Sequence, residues 1–261
     1  MVSQAEFSGS KYLGLNQPIE RFAKVSENGY SNISPASVIS ESITRLRIHE
    51  EVQKKSGAWP FAVKAASMHL KSEPILEDNQ LRIGSDTVVQ LDQFKELYIE
   101  YPLLPAQGGE VARLHDIIGV SASDILFSNE DELMDLAFLF DNKIALIGEV
   151  AEVAHDEFET PVGNVYGVEI IANTINTILN SGTLEAASFY FEASVLMCLA
   201  AFFLLSRLLQ NPFSRNSINI LIISAHVIFC TILYVYFGLI LSMSYALIAS
   251  LFAIIVINAK F

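Results

Sequence analysis

The sequence predicts an acidic α/β domain followed by three transmembrane α-helices. Residues 1–185 contain 13 Lys and Arg against 28 Asp and Glu, a net charge of −15, whereas residues 216–259 contain none of these side chains. An uncharged helical run of that length extends about 66 Å, which is about two hydrocarbon cores of a bilayer. A further apolar stretch over 189–209 precedes it. We therefore assign residues 1–185 to an aqueous domain and 186–261 to the membrane.

Periodicity defines the first elements of the aqueous domain. These are a helix over 58–71 and strands over 81–83, 88–91 and 97–101. In the helix, Phe61, Ala65 and Met68 recur at helical spacing and form one apolar face. The first two strands are short apolar runs separated by Gly84-Ser-Asp86, a sequence typical of a turn. These elements alternate, and alternation of helices and strands indicates an α/β class.

The later elements are a helix over 130–140, a strand over 143–147 and a helix over 168–179. Asn129 precedes three acidic residues, as at a capped helix start, and the apolar spacing that follows is helical. The last helix is amphipathic and is predicted to end at Ser181-Gly182. Lys143-Ile-Ala-Leu-Ile147 is a continuous apolar run that predicts a central strand buried on both faces. On that interpretation Ile147→Asp would unfold the domain.

The three membrane helices are predicted at about 188–209, 218–236 and 242–258. Arg207 and Arg215 flank the first connecting loop, which the positive-inside tendency places in the cytoplasm. The third helix then brings Lys260 to the same side. This topology predicts a multi-pass protein of the inner membrane with its N-terminal domain outside the cytoplasm. The lipid bilayer is its first predicted partner.

Several function classes lack the residues that they require. No basic stripe is present, so nucleic acid is excluded as a partner. No P-loop, dinucleotide fingerprint, zinc spacing or nucleophile elbow is found, so no catalytic residue, metal site or cofactor is predicted and the chain is expected not to be an enzyme. His155-Asp156-Glu157 with Glu159 is interpreted as a solvated acidic turn rather than a metal site. His226, inside the second membrane helix, is expected to hydrogen-bond a neighbouring helix.

The order of several segments resembles the type-two CHASE sensor domain, an extracellular sensory domain of cyclases and histidine kinases. That family has a strand ending in Gly, a D-x-x-x-T-P stretch, a G-V-x-x-H-A-N helix start and a short loop that leads into three membrane helices. The corresponding segments are Lys143–Gly148, Asp156–Pro161, Gly167–Asn173 and Leu179–Gly182. Upstream, Ser123–Leu126, Leu81–Asp92 and Ile43–Arg45 match in position and character. The sequence departs from the pattern at Ile171, where the family usually has His, and at Glu41-Ser42, where it usually has Asp-Gly.

The resemblance implies motif residues with structural roles. They are Gly148, Asp156, Thr160, Pro161, Gly167, Ala172 and Asn173. We expect Asp156 to bond neighbouring backbone amides and Asn173 to bond loop backbone near the membrane. Which residues bind a ligand is unknown from the sequence.

The resemblance also implies a sensory, signal-input module that lacks an output domain of its own. An output protein, a cyclase or kinase on another chain, and a second copy of the chain are the implied partners. The alternative is a structural membrane subunit that packs with other membrane proteins without sensing a ligand. Family members begin with a membrane helix, and the N-terminus has no export signal, so the aqueous domain is predicted to be N-terminally incomplete and prone to self-association.

Overall fold

A computed structural model of the protein describes most of the chain. The described residues are 1–9, 11–33, 42–101, 104–105, 111–112, 119–150, 156–182, 184–241 and 248. The chain forms two compact units, Met1–Gly182 and Thr183–Phe261. The first is a mixed α/β unit, and the second contains two long apolar helices.

The N-terminal part of the first unit is a small three-stranded sheet. Its elements are β1 (Val2–Ser8), β2 (Lys11–Asn16), α1 (Glu20–Ala23) and β3 (Gly29–Tyr30). The strand order is β2-β1-β3, with β2 antiparallel and β3 parallel to β1. Alternate residues of β1 face inward, so Ala5 joins Tyr12 and Tyr30 in a small core.

The central part holds β4 (Arg45–Arg47), α2 (Glu50–Ser56), α3 (Phe61–Leu70), β5 (Pro74–Glu77), β6 (Gln80–Ile83), β7 (Thr87–Gln90) and β8 (Glu96–Tyr98). The predicted helix and the predicted strand pair are confirmed. Strands β5, β6 and β7 form an antiparallel meander in which Gly84, at a φ of 71°, permits the second turn. The predicted third strand exists as β8, but it pairs with β4 rather than with the meander.

The last part of this unit contains β9 (Leu104–Pro105), β10 (Val111–Ala112), α4 (Ala122–Phe127), α5 (Glu130–Phe140), β11 (Glu157–Thr160), β12 (Gly163–Tyr166) and α6 (Gly167–Leu179). The predicted cap of α5 is confirmed as a capping box, because Asn129 and Glu132 each bond the other's backbone N–H. The predicted last helix is confirmed as α6, which is followed by Ser181 and Gly182 at positive φ.

The main core lies between the helices α3 and α6 and the strands beneath them. Its buried members include Val63 and Ala66 of α3, Leu81 of β6, and Ile170 and Ile178 of α6. Helix α6 has the longest buried face of the unit, with seven buried residues in thirteen. The motif-bearing helix is therefore also the helix that closes the core.

The prediction that 143–147 is a buried central strand is wrong. Residues 144–150 adopt no regular secondary structure, and Ile147 is 100% exposed. Ile144 and Leu146 do pack against the core, so alternate side chains cover it while the others face outward. A continuous apolar run can therefore belong to a segment with only one face against the core. The composition of the run does not distinguish this case from a strand buried on both faces.

The second unit contains β13 (Glu185–Ala186), α7 (Phe189–Ser206), α8 (Pro212–Phe237) and β14 (Leu239–Ile240). Helix α7 corresponds to the first predicted membrane helix, and α8 begins six residues before the second one predicted. Asn211 caps α8 and Pro212 occupies its first position, which explains the early start. Helix α8 ends at Gly238, whose φ is 64°. The third predicted helix, 242–258, lies outside the described residues except for Ile248.

Candidate functional site

Thr160 and Pro161 form the turn between β11 and β12. The Thr160 hydroxyl donates to the Gly163 carbonyl over 2.5 Å and accepts from the Val162 N–H over 3.3 Å. Its side chain is buried, whereas Pro161 is exposed. Pro161 has a fixed φ that suits the first turn position. Both residues belong to a hairpin whose second strand, β12, leads directly into α6.

Asp156 and Gly167 meet at the N-terminus of α6. The Gly167 N–H donates to the Asp156 carbonyl over 2.9 Å. A Cβ atom on Gly167 would lie 2.7 Å from Asp156 Oδ2 and 2.9 Å from Oδ1, so any larger residue here would require this carboxylate to move. Glu169 adds a second carboxylate, which accepts from the Tyr166 N–H over 3.0 Å. Negative charge is favoured at this end of a helix.

Gly148 lies against the first turn of the same helix. A Cβ atom at this position would come within 2.5 Å of Val168 Cβ, well below ordinary contact distance. The glycine therefore permits the segment that contains Ile147 to approach α6 closely. Three motif positions, Gly148, Asp156 and Gly167, thus converge on the start of one helix.

Asn173 is buried in the face of α6 that covers the core, with 1% of its surface exposed. Its Nδ2 donates over 2.8 Å to the carbonyl of Glu169, one turn earlier in the same helix. The expected bond to loop backbone near the membrane is absent among the hydrogen bonds of the described residues. Ala172 is half-buried on α6. Both motif positions therefore lie on the helix that packs against the core.

Thr177 connects α6 to the strand region and is not among the residues predicted from the sequence. Its Oγ1 accepts from the Glu100 N–H over 2.9 Å and donates to the Asn173 carbonyl over 2.8 Å. The contact joins residues 77 positions apart. A buried threonine on an apolar helix face, 1% exposed here, is the sequence signal for such a bond.

Arg45, the arginine of the family-like segment, lies in an acidic and aromatic setting. Its Nη1 lies 3.4 Å from Asp92 Oδ2 and 3.3 Å from Glu96 Oε2, and its guanidinium stacks 4.5 Å from the centroid of the Tyr98 ring. A cavity of about 20 Å³ lies beside it, with Ile171 in its lining. That volume is about the size of one water molecule. Arg45 therefore joins β4 to β8, and this cavity is too small for an organic ligand.

The phenols of the buried Tyr30 and the half-buried Tyr101 do not titrate at physiological pH. Burial raises the pKa of both Tyr30 and Tyr101 above the ordinary value. The Tyr101 hydroxyl donates to the Ile43 carbonyl over 3.0 Å, and the Tyr30 hydroxyl accepts from the His49 N–H over 3.0 Å. Burial, assisted by the charge of Arg47, lowers the pKa of His49. These two hydrogen bonds join Tyr101 to the segment that contains Ile43, and Tyr30 to the segment that contains His49.

Among the described residues no three His, Cys, Asp or Glu side chains converge as metal ligands. Glu157 and Glu159 lie on β11, with their side chains exposed. His155, the histidine of the predicted acidic turn, lies outside the described residues, as does Glu41 of the family-like Glu41-Ser42 pair.

The helices α7 and α8 have the length and composition of membrane spans. Phe189–Ser206 has a mean hydropathy of 1.9, and an 18-residue window within Phe213–Phe237 has one of 2.3. In these two windows only 17% and 11% of the residues are buried, unlike the core helices of a soluble protein. Large apolar side chains such as Leu204 and Val235 face outward. Such apolar faces are suited to lipid.

The buried face of α8 carries polar side chains. His226 lies 3.5 Å from Cys230 Sγ through Nε2, one turn along the same helix. Both side chains are buried, as is Asn219. The expected hydrogen bond from His226 to a neighbouring helix is replaced, among the described contacts, by this bond within α8. Polar groups that face inward are the usual arrangement in a membrane helix.

Comparison with known proteins identifies the family. The family model of the CHASE2 domain matches residues 16–207, which is more than half of the chain. The match begins in the N-terminal sheet region and extends through α6 and α7. No curated protein and no solved structure shows a significant match. The chain belongs to the CHASE2 domain family of sensory domains.

Proposed function

We propose that this protein is a membrane-anchored signal-input module whose α/β domain lies outside the cytoplasm. CHASE2 is a sensory rather than a catalytic family, and the match to residues 16–207 is the observation that carries the proposal. The exposed apolar faces of α7 and α8 support anchoring in a bilayer. Input is then received by Met1–Gly182 and passed to the membrane through Thr183–Phe261.

The topology can be tested by labelling single cysteines in intact cells. Cys198 and Cys230 are first replaced by alanine, because both are free thiols. Ser214, in the first turn of α8, and Ser181, just after α6, are then changed to cysteine in separate variants. We expect an impermeant thiol reagent to label Ser181→Cys and to spare Ser214→Cys, because the loop with Arg207 and Arg215 is placed inside.

Permeabilised cells supply the control, since both variants should be labelled there. The reverse pattern, with only Ser214→Cys labelled in intact cells, would place the α/β domain in the cytoplasm and end the proposal of an extracytoplasmic sensor. Release of the protein from membranes by alkaline carbonate would contradict the proposal that α7 and α8 anchor it in the bilayer.

The output partner in this proposal is a cyclase or kinase carried by another chain, as the family resemblance implies. A second copy of this chain is the other proposed partner. Crosslinking in intact membranes, followed by identification of the crosslinked chains, tests both. Recovery of the uncrosslinked chain alone would contradict both partner assignments.

A structural membrane subunit is the second candidate, and one observation favours it. Helices α4 and α5 contain no buried residue, and Phe127 and Phe138 are 86% and 82% exposed. Apolar side chains exposed in this way commonly mark contacts with other proteins. A complex of fixed stoichiometry that is unaffected by any added small molecule would favour this candidate over the sensor.

A further inference from the structure

A cleft of about 460 Å³ lies between α2 and the edge of the meander. Its lining includes Glu50, Lys54, Trp59, Ile75, Leu76 and Lys95. Small-molecule sites commonly have volumes of about 300 to 1,000 Å³, so this cleft is large enough for an organic ligand. It is separate from the family-motif residues at the start of α6.

The lining of the cleft carries two acidic residues, Glu50 and Asp78, and two lysines, and the Glu50 carboxylate lies between the two ammonium groups. Glu50 Oε2 contacts Lys54 Nζ, and Glu50 Oε1 lies 4.0 Å from Lys95 Nζ. The Lys54 hydrogen bond lowers the pKa of Glu50, so the carboxylate stays ionised. Lys95 is held in place by the Asp78 carbonyl and by Asn79 Oδ1 at 2.9 Å. The Lys54 side chain is 69% exposed and can turn away from Glu50.

This charge arrangement discriminates between ligands. A simple anion that bound Lys54 would separate it from Glu50, and the Glu50 carboxylate would lose the positive charge of that lysine. A simple cation that bound Glu50 would likewise leave Lys54 without its negatively charged partner. A zwitterion exchanges the existing ion pair for two new ones, because its ammonium takes the place of Lys54 and its carboxylate takes the place of Glu50. The balance of charge is then kept, because each charged group of the ligand and of the cleft has a partner of opposite sign.

One part of the cleft wall is apolar and includes an open strand edge. Trp59 and Leu76 line the cleft, and Ile75 is 50% exposed. Strand β5 is the outer strand of the meander, and its pairs with β6 begin at Glu77 and Gln80 beside a two-residue turn. Because hydrogen-bonded pairs alternate in an antiparallel ladder, the backbone groups of Leu76 point to the open edge. They can bond the polar end of a ligand whose apolar body contacts Ile75.

We propose that this cleft binds a small zwitterion with an ammonium group, a carboxylate and an apolar body, the chemistry shared by free amino acids and short peptides. The inference rests on the proposed sensory function and supplies its ligand class. Glu50 binds the ammonium group, and Lys54 binds the carboxylate. Trp59 and Ile75 contact the apolar body.

The fluorescence of Trp59, the only tryptophan of the chain, provides a direct readout. The full-length protein in nanodiscs is titrated with L-leucine and with the dipeptide Leu-Leu. We expect a saturable change in emission with one or both, and the tighter ligand identifies the source. The analogues 4-methylpentanoate, which lacks the ammonium group, and isopentylamine, which lacks the carboxylate, should each bind about tenfold or more weakly, a loss of about 1.4 kcal/mol or more.

Two glutamine variants provide the matched test. Glu50→Gln removes the charge inside the cleft, and we expect it to weaken binding about tenfold or more. Glu20→Gln removes the carboxylate of an equivalent pair four residues apart, Glu20 with Lys24, outside the cleft lining, and it should leave the affinity unchanged. Circular dichroism verifies that both variants remain folded.

Three results would overturn the inference: no saturable emission change with either ligand, equal binding of the single-charge analogues, or equal affinity in both variants. None of these results bears on the cysteine labelling, which determines only on which side of the membrane the α/β domain lies. A failed labelling experiment would likewise leave the titration interpretable. The ligand class and the proposed topology are therefore tested independently.

Discussion

At the scale of single residues, several motif positions lie where space is limited or where a side chain hydrogen-bonds the backbone. Gly148 and Gly167 allow a close approach to α6, and Thr160 shapes the preceding turn. The sequence identified these positions through their pattern. It did not identify what each one touches, because Gly148 and Val168 are twenty residues apart and meet only in the folded domain.

Gly167→Ala should destabilise the domain, because the added methyl group would collide with the Asp156 carboxylate. We expect a loss of about 1–3 kcal/mol in the free energy of unfolding, as for other overpacked sites. Gly14→Ala is the control, since its added methyl group would meet no atom within 4 Å. Denaturant unfolding measures both variants. Asp156→Ala in the same chain should reduce the cost of Gly167→Ala, and an unchanged cost would contradict the steric explanation.

His49 should make stability depend on pH. Its pKa is lowered in the folded domain by burial and by Arg47, so the unfolded chain binds the proton more tightly. Its contribution is full above the ordinary histidine pKa of about 6.5 and is lost as pH falls toward the lower folded value. The melting temperature of His49→Gln should therefore fall less than that of the wild type between about pH 7.5 and 5.5. The exposed His69→Gln serves as the control, and equal slopes for His49→Gln and the wild type would contradict the assignment.

At the scale of elements, local signals predicted local structure. The capping box at Asn129 and Glu132 involves residues three apart, and the turn at Gly84 connects neighbouring strands, so both are visible in the sequence. The pairing of β4 with β8 joins segments about fifty residues apart, and no local pattern specifies it. The prediction of a buried strand over 143–147 is wrong for a different reason, because the apolar residues of this run cover the core from one side only.

Thr177 should contribute more to the stability of α6 packing than Thr174, although both are buried. Thr177→Val removes the acceptor of the Glu100 N–H, whereas Thr174→Val removes only a bond to the Ile170 carbonyl of its own helix. Loss of a buried partner costs about 1–3 kcal/mol. We expect that range for Thr177→Val and a smaller loss for Thr174→Val in chemical denaturation. Equal losses would show that the Thr177–Glu100 bond is not stabilising.

The two faces of the segment after α5 should respond differently to a charge. Leu146→Asp places a carboxylate against the core and should lower the free energy of unfolding by several kcal/mol. Ile147→Asp should change it by less than about 0.5 kcal/mol, because Ile147 is fully exposed. Thermal unfolding of the two variants provides the comparison. Severe destabilisation by Ile147→Asp would instead support a strand buried on both faces.

At the scale of the whole molecule, the sequence predicted an acidic α/β part and an apolar helical part, and the structure contains both. Charge and hydropathy are averages over long segments, so a division of the chain based on them stays correct even when a single helix or strand is predicted wrongly. The position of the cleft between α2 and β5 was not predictable, because its walls come from segments that the fold alone brings together. The CHASE2 match extends into α7, so the family pattern includes sequence from both units.

The exposed segment after α5 also has a consequence for cleavage. Lys143 is exposed, follows the turn at Asp141-Asn142 and belongs to no helix or strand, whereas Lys64 is inside α3 and Lys54 is inside α2. Proteases need an extended, accessible stretch of backbone. Brief digestion of the native protein with trypsin should therefore cut after Lys143 before it cuts after Lys54 or Lys64, as mass spectrometry of the first fragments would show. Because Ile144 and Leu146 pack on the core, the two pieces should stay together until a denaturant is added.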